Sequence, residues 1–412
     1  MQSEQLRLSK STRIGVALSG GGNRAAAFGA GVVLGLIDLG VLSQVSRISS
    51  TSGGSLVNAS VAVGMIRAAD PDGPDELTEQ RAVAERIRLL INAISHDGFS
   101  SYRQGRALAS AFGLSALTGV IAAVCLGVET GTFVATTVLV LTGIFFVLLR
   151  GRPDEGFMRD QVFEHFLING LGTRIPHETV EILHQIASRP LDPGGRDRIT
   201  SHECLLLSSL AYSGIKHNFT ISDLRDEDIV HASLDGLNWV RSDLHVNAGS
   251  ERLAQVVADS MSLPGYARPR FLDNTKLSPI FADGGIFDNF GLSYFLKEEC
   301  RSSVEVIISV IAENPRQGLK PGSSRLRIFR FALAAMHSRF SSVYSNALAA
   351  TGWPGQIIEI RIPPELSTKT TLSPLGRRRA DALVQAGISG VTARLVCPEP
   401  EEISPVDPPS ST

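Results

Sequence analysis

Apolar and polar positions alternate with a changing period along this chain, and the changes mark its elements. "RIGVALS" (13–19) is a short apolar run closed by glycines, the mark of a buried strand. "GGGNR" follows, then "AAAFGAGVVLGLIDLG", an apolar, small-residue helix. "VSRISST" (45–51) predicts a second strand and "SGGSLVNASVAVGMIRAA" a second helix. Strand, glycine-rich turn, helix, strand, sharp turn and helix in that order open a parallel α/β sheet with helices on its faces. "RAVAERIRLLINAI" is an amphipathic helix after a polar loop. Further on, "ECLLLSSLAYS" and "HNFTISDL" predict strands, and "SERLAQVVADSMSL" an amphipathic helix. "LSPIFADGGIFDNFGLSYFLKE" predicts a strand, a glycine turn and a helix. "SSVEVIISVIAEN" and "QIIEIRIPP" predict strands, the first with the continuous apolar run of a parallel-sheet interior. "LRIFRFALAAMHSRFSSVYSNALAAT" and "GRRRADALVQAGISGVTARL" predict helices.

One stretch breaks the pattern. Residues 107–128 and 132–149 carry no charge, and only Glu129 interrupts them. As helices rising about 1.5 Å per residue they would reach roughly 33 and 27 Å, close to the ~30 Å hydrocarbon thickness of a bilayer. Arg103 and Arg106 precede the pair and Arg150 and Arg152 follow it. Positive charge at both outer ends fits a membrane hairpin with both ends in the cytoplasm. A helical hairpin buried in a soluble core and a shallow re-entrant hairpin are the alternatives. The organisation expected is therefore the first part of a catalytic domain over 12–100, an inserted hairpin over 103–152, the remainder of the domain over 153–396 and a Pro- and Glu-rich disordered tail over 397–412.

Composition narrows the function classes. The 412 residues are 43% hydrophobic, enough for a large core. The net charge of −2, without a basic tract, argues against a nucleic-acid partner. Cys125, Cys204, Cys300 and Cys397 are scattered and form no CxxC pair, so neither a disulfide framework nor a zinc site is expected. "HEC" (202–204) lacks the second histidine of a metal-binding helix. The polar N-terminus has no apolar signal region, which makes the cytoplasmic face of an inner membrane the expected location.

The chemistry gathers on tight corners. Ser52 ends a strand and is followed at once by Gly53 and Gly54. A nucleophile elbow places a serine on such a strand-to-helix turn, with small residues two positions before and after it. The usual pattern is G-x-S-x-G; here Ser50 takes the place of the first glycine. The competing role for Ser52 is a helix N-cap. Gly20, Gly21 and Gly22 expose backbone N–H groups at a helix start, a nest suited to a developing oxyanion, with Gly53 as a further donor. Arg24 would fix that loop or hold a lipid phosphate. Asp283, before Gly284 and Gly285, is the candidate base, the alternative being a turn aspartate; Asp288 reads as a turn or cap residue. His217, His231 and His245 fall in stretches that look like polar loops, and His337 on a predicted helix, so a Ser-His-Asp triad has no clear frame. Gly20-x-Gly22 with Ala25 resembles part of a dinucleotide fingerprint, yet the second strand ends in Ser50-Thr51-Ser52 without the acidic residue that a ribose requires.

Taken together, "GVALSGGGNR", "STSGGS", "DSMSLPGYARP" and "FADGGIFDN" resemble the patatin-like phospholipases, over about residues 12–65 and 200–320. The resemblance implies an α/β three-layer sandwich with a mostly parallel central sheet, to which the hydrophobic hairpin is an insertion. It implies a Ser–Asp dyad without a cofactor or metal. The family's oxyanion loop falls on Gly20–Arg24, its nucleophile on Ser52, its aspartate on Asp283 and its S-x-P segment on Ser262 and Pro264. The expected activity is hydrolysis of fatty-acyl esters of membrane lipids through an acyl-enzyme. An inactive membrane scaffold of the same fold and a nucleotide-dependent enzyme are the other classes the sequence allows. Because Ser52 precedes the hairpin and Asp283 follows it, a dyad requires an even number of crossings.

Overall fold

The structure, a computed structural model, describes residues 5–68, 76–96, 207–249, 251, 253–262, 269–271, 279–312, 343–344, 346–366 and 375–396. The expected hairpin, the tail, His337 and Pro264 lie outside the described residues. Among the described residues no helix is long and apolar enough to cross a membrane.

The strands are β1 (Leu6–Arg7), β2 (Ile14–Leu18), β3 (Val45–Thr51), β4 (Lys216–Asp223), β5 (Asp228–Ser233), β6 (Gly236–Trp239), β7 (His245–Val246), β8 (Arg270–Phe271), β9 (Ile280–Asp283), β10 (Val306–Ile311), β11 (Gln356–Arg361) and β12 (Leu395–Val396). The helices are α1 (Gly22–Asp38), α2 (Gly53–Ala68), α3 (Glu76–His96), α4 (Leu253–Ser260), α5 (Glu298–Arg301) and α6 (Arg377–Thr392).

The main sheet runs β11-β10-β2-β3-β4-β5-β6-β7, with β9 also on β4 and β8 on β9. From β11 to β4 every pairing is parallel. Every other pairing in this sheet is antiparallel. The sheet is thus mixed, and the expectation of a mostly parallel one holds only for its β11–β4 half. The cause is loop length: β5, β6 and β7 follow β4 through short turns, and a parallel neighbour needs a crossover of a dozen residues or more.

Both faces of the parallel half are covered. On β10, Val306, Ile308 and Val310 enter one apolar cluster with side chains of α1, α2, α3, α4 and α6. Ile307 and Ile311 point the other way, into a second cluster with Phe290, Tyr294, Phe295 and Leu348. Period-2 alternation thus builds a three-layer arrangement among the described residues. Each fully buried aliphatic or aromatic side chain contributes about 1.5–3 kcal/mol relative to exposure.

Two predicted elements differ. "ECLLLSSLAYS" contains a 3-10 helix at Leu207–Tyr212 rather than a strand. The helix expected after the Asp283 turn is broken into a 3-10 turn, Ser293–Leu296, and the short α5. Asp288 is the reason: its carboxylate accepts from the N–H groups of Phe290, Gly291 and Ser293, which bends the chain away from a helical ladder.

Helix directions decide what lies on the edge that carries Ser52. Gly31 abuts Val384 and Gly35 abuts Val391, so α1 and α6 run parallel and begin on the same edge. That edge is the one where β2 and β3 end. The end of α3 reaches it too, since Ile94 and Ser95 carbonyls accept from Leu375 and Gly376 N–H, both 3.1 Å.

The α1–α6 contact depends on missing side chains. A methyl group at Gly387 would lie 2.5 Å from the Phe28 carbonyl oxygen and 2.7 Å from Val32 N. In an exposed helix Gly→Ala gains about 1 kcal/mol. Here overpacking at about 1–3 kcal/mol outweighs that gain. Gly387→Ala is expected to lower the free energy of unfolding, measured by denaturant titration.

Candidate active site

β4 carries two different neighbours along one edge. Its first half pairs in parallel with β3, ending at Thr51 opposite Thr220. Its second half pairs antiparallel with β9, ending at Asp283 opposite Ile221. The two strands therefore run head-on and stop at adjacent residues of β4. Ser52 and Asp283, 231 positions apart in sequence, are brought together by this register, and Ser52 Oγ–H donates to Asp283 Oδ2 at 2.9 Å.

Both residues occupy tight corners. Ser52 has φ of 50°, in the left-handed region. A non-glycine residue there is disfavoured by about 1–2 kcal/mol, and such a conformation persists only when its surroundings over-determine it. Gly53 lies so close to Gly22 that a methyl group on it would strike the Gly22 carbonyl oxygen, which locks the elbow to the glycine loop. Gly284 lies equally close to the Thr220 carbonyl oxygen.

Hydrogen bonds hold the strained turn. The Ser52 N–H donates to Ser260 Oγ at 3.0 Å, and Ser260 Oγ–H donates to the Thr220 carbonyl at 2.7 Å. With its proton committed, Ser260 Oγ accepts from Ser55 Oγ at 2.9 Å. Ser55 lies 3.2 Å from Ser50 Oγ, which accepts from Asn58 Nδ2 at 2.8 Å. Asn58 Oδ1 in turn bonds His217 Nδ1 at 2.6 Å. Ser50 is thus a node of a buried polar chain, which accounts for a serine where the elbow pattern has glycine. Neither Ser260 nor Asn58 stood out in the sequence. "DSMSLPG" carried the signal for the first, two residues before Ser262, whose carbonyl accepts from the Asp283 N–H at 3.0 Å.

Asp283 is buried, and its pKa is pushed up to about 6. Desolvation is the largest cause, opposed by hydrogen bonds from Gly285 N–H and Ser52 Oγ–H. The Gly285 N–H donates to Oδ1 at 2.8 Å, leaving Oδ2 for the serine. A carboxylate of this strength exchanges protons readily near neutral pH.

The donors expected for an oxyanion are only partly available. The Gly20 N–H donates to the Asn289 carbonyl at 2.8 Å, so Gly20 drops from the set. Among the described residues no partner takes the N–H of Gly21, Gly22 or Gly53. Gly22 and Gly53 begin α1 and α2, so two helix N-termini, with their positive dipole ends, converge beside Ser52. Arg24 is 2% exposed, in the first turn of α1 beside Gly21, a burial that suits fixing the loop rather than meeting a lipid phosphate.

The histidines are not in polar loops. His217 is on β4, His231 on β5 and His245 on β7. Burial lowers the pKa of His217 to about 3 and that of His231 well below the usual value. Their partners are Asn58 and Ser213 for His217, Ser293 for His231 and Asn238 for His245, so none touches the dyad. No group of residues suited to a metal ion occurs among the described residues.

No curated protein matches the chain by sequence. Among solved structures, VipD from Legionella pneumophila is 14% identical, with a TM-score of 0.39, over 95% of this chain and 69% of VipD. Human GIVD cytosolic phospholipase A2 is 13% identical, with a TM-score of 0.46, over 93% of this chain and 61% of that one. The chain therefore spans only part of either protein. Residues 16–296 match the family described as patatin-like phospholipase, a stretch that contains the glycine loop, Ser52 and Asp283. With that match extending over more than half of its length, this chain belongs to the patatin-like phospholipase family.

Proposed function

We propose that this protein is a membrane-attached lipid acyl hydrolase that cleaves fatty-acyl esters of phospholipids or related lipids through Ser52 and Asp283. The family suggests acyl hydrolysis as the activity. The observation that carries the dyad reading is the 2.9 Å bond between the hydroxyl of a strained, buried serine and a buried carboxylate.

In this reading Ser52 Oγ attacks the ester carbonyl carbon while its proton passes to Asp283 Oδ2. The carbonyl π pair moves onto oxygen, where Gly21, Gly22 and Gly53 N–H groups meet it. Collapse of the tetrahedral species breaks the bond to the alcohol oxygen, which takes the proton back from Asp283. Water then adds to the acyl-enzyme by the same route, and a fatty acid leaves. No cofactor is needed for any step.

Two features support attachment to a membrane. The chain leaves α3 toward the uncharged runs 107–128 and 132–149 from the edge that carries Ser52. Arg377 and Arg378, exposed at the start of α6, lie on that edge beside the end of α3. Cations there oppose the helix dipole and suit the anionic surface of a cytoplasmic leaflet, where each contributes about 1 kcal/mol. Hydrolysis at the membrane surface also avoids drawing an acyl chain into water, at about 0.8 kcal/mol per CH₂.

A fluorophosphonate probe is expected to label the wild-type chain and not Ser52→Ala. Asp283→Asn should lower kcat/KM on a phospholipid by about 10²–10⁴-fold, the range for a general base. Absence of Ser52-dependent product, read by lipid mass spectrometry, rejects the enzyme and leaves the inactive scaffold.

Activity should follow the ionised form of Asp283. With a pKa near 6, kcat/KM is expected to be flat above about pH 7 and to fall as pH drops through about 6. A pH–rate profile without that acid limb would exclude Asp283 as the base.

The full chain should co-sediment with vesicles, and deletion of residues 107–149 should release it while turnover of a short-chain soluble ester persists. Retention of the deleted form on vesicles would place the membrane contact elsewhere.

A further inference from the structure

Asn289 takes away one oxyanion donor and stands in a position to replace it. Its main-chain carbonyl accepts the Gly20 N–H, which removes that group from the glycine loop. Its carboxamide, on a half-buried side chain, makes no hydrogen bond within the described residues. Two glycines on two different loops frame that carboxamide. A methyl group at Gly20 would strike Asn289 Oδ1 and lie 3.2 Å from Ser52 Cβ. A methyl group at Gly285 would lie 2.8 Å from Asn289 Oδ1 and 3.0 Å from Asp283 Oδ1. The carboxamide therefore sits beside both the nucleophile and the base.

The backbone that carries it is fixed on both sides. Asp288 accepts three amides from the residues after Asn289, and its own carbonyl accepts from Thr51 Oγ1 at 2.9 Å. Thr51 immediately precedes the nucleophile, so the elbow and Asn289 move as one piece. A half-turn about the Cβ–Cγ bond exchanges Oδ1 and Nδ2 in nearly the same volume, so the position beside Gly20 can hold a donor.

We infer that Asn289 is a substrate-contacting catalytic residue, whose Nδ2–H donates to the ester carbonyl oxygen as it becomes an oxyanion. The inference rests on the hydrolase reading and deepens it: the oxyanion is met by a side chain from the aspartate loop as well as by backbone N–H groups. No additional bond is made or broken; the proton stays on Nδ2 throughout.

The test is steady-state kinetics of the full chain on a p-nitrophenyl ester, with the fluorophosphonate inactivation rate measured in parallel. Asn289→Ala is expected to lose about 10²–10³-fold in kcat, the cost of one oxyanion donor, with KM within about threefold of wild type. Asn289→Asp keeps the shape, lacks the donor and repels the developing charge, so it should be at least as slow. In Asn289→Ala the acid limb of the pH profile should stay in place, because the base is untouched; in Asn289→Asp the added carboxylate beside Asp283 should move it to higher pH. A kcat near that of wild type in either variant overturns the inference. So does an acid limb that moves in Asn289→Ala, which would make Asn289 a support for Asp283 instead. Should Asn289→Ala fail to fold, Asn289→Leu, which keeps the shape and lacks a donor, is judged by the same criteria. Absence of Ser52-dependent turnover in the wild type would defeat the hydrolase reading itself, a separate outcome from any of these.

Discussion

The register of one strand organises this molecule. β4 accepts β3 as far as Thr220 and β9 from Ile221 onward, and the switch between a parallel and an antiparallel neighbour falls between those two residues. Strands that meet head-on must each turn away at the meeting point, and their last residues are held side by side by the ladder they share. Ser52 and Asp283 occupy those positions. A shift by one residue in either pairing would move a side chain to the opposite face of the sheet. The apolar residues that flank each strand therefore act on the Ser52–Asp283 contact by fixing the register.

The local environment follows from that meeting. Away from the strand ends the sheet is covered on both faces, so the junction is poor in water, and a carboxylate placed there is desolvated and becomes a stronger base. The same lack of water strengthens the helix N-termini of α1 and α2 as sources of positive potential. His217 and His231, buried nearby, respond in the opposite sense and are held neutral. Neutral histidines serve the fold as hydrogen-bond partners of Asn58 and Ser293 and take no proton from the serine.

The buried polar chain from His217 through Asn58, Ser50 and Ser55 to Ser260 runs through an otherwise apolar layer. Such networks add little net stability per bond and are costly when left incomplete. Here the chain ends on the Ser52 N–H, where a left-handed serine needs external restraint. An apolar core of equal volume would supply packing and no directional hold on that amide.

Much of this protein is written along the chain. Strand β2, the Gly20–Gly22 nest, the Ser52 corner and the run that becomes β10 depend on neighbours within a few residues, and local periodicity and turn chemistry reveal them. The resemblance of "FADGGIFDN" to a family motif likewise singled out Asp283. Other features depend on residues distant in sequence and could be decided only by tertiary structure. The antiparallel half of the sheet was hidden because β5 and β6 lack a clean alternation, being buried on both faces. The pairing of His217 with Asn58 and of His231 with Ser293, and the capture of the Gly20 amide by Asn289, arise between segments more than sixty residues apart. Hydrophobic pattern determines which residues leave water; only the assembled sheet determines which polar groups leave with them, and what each then meets.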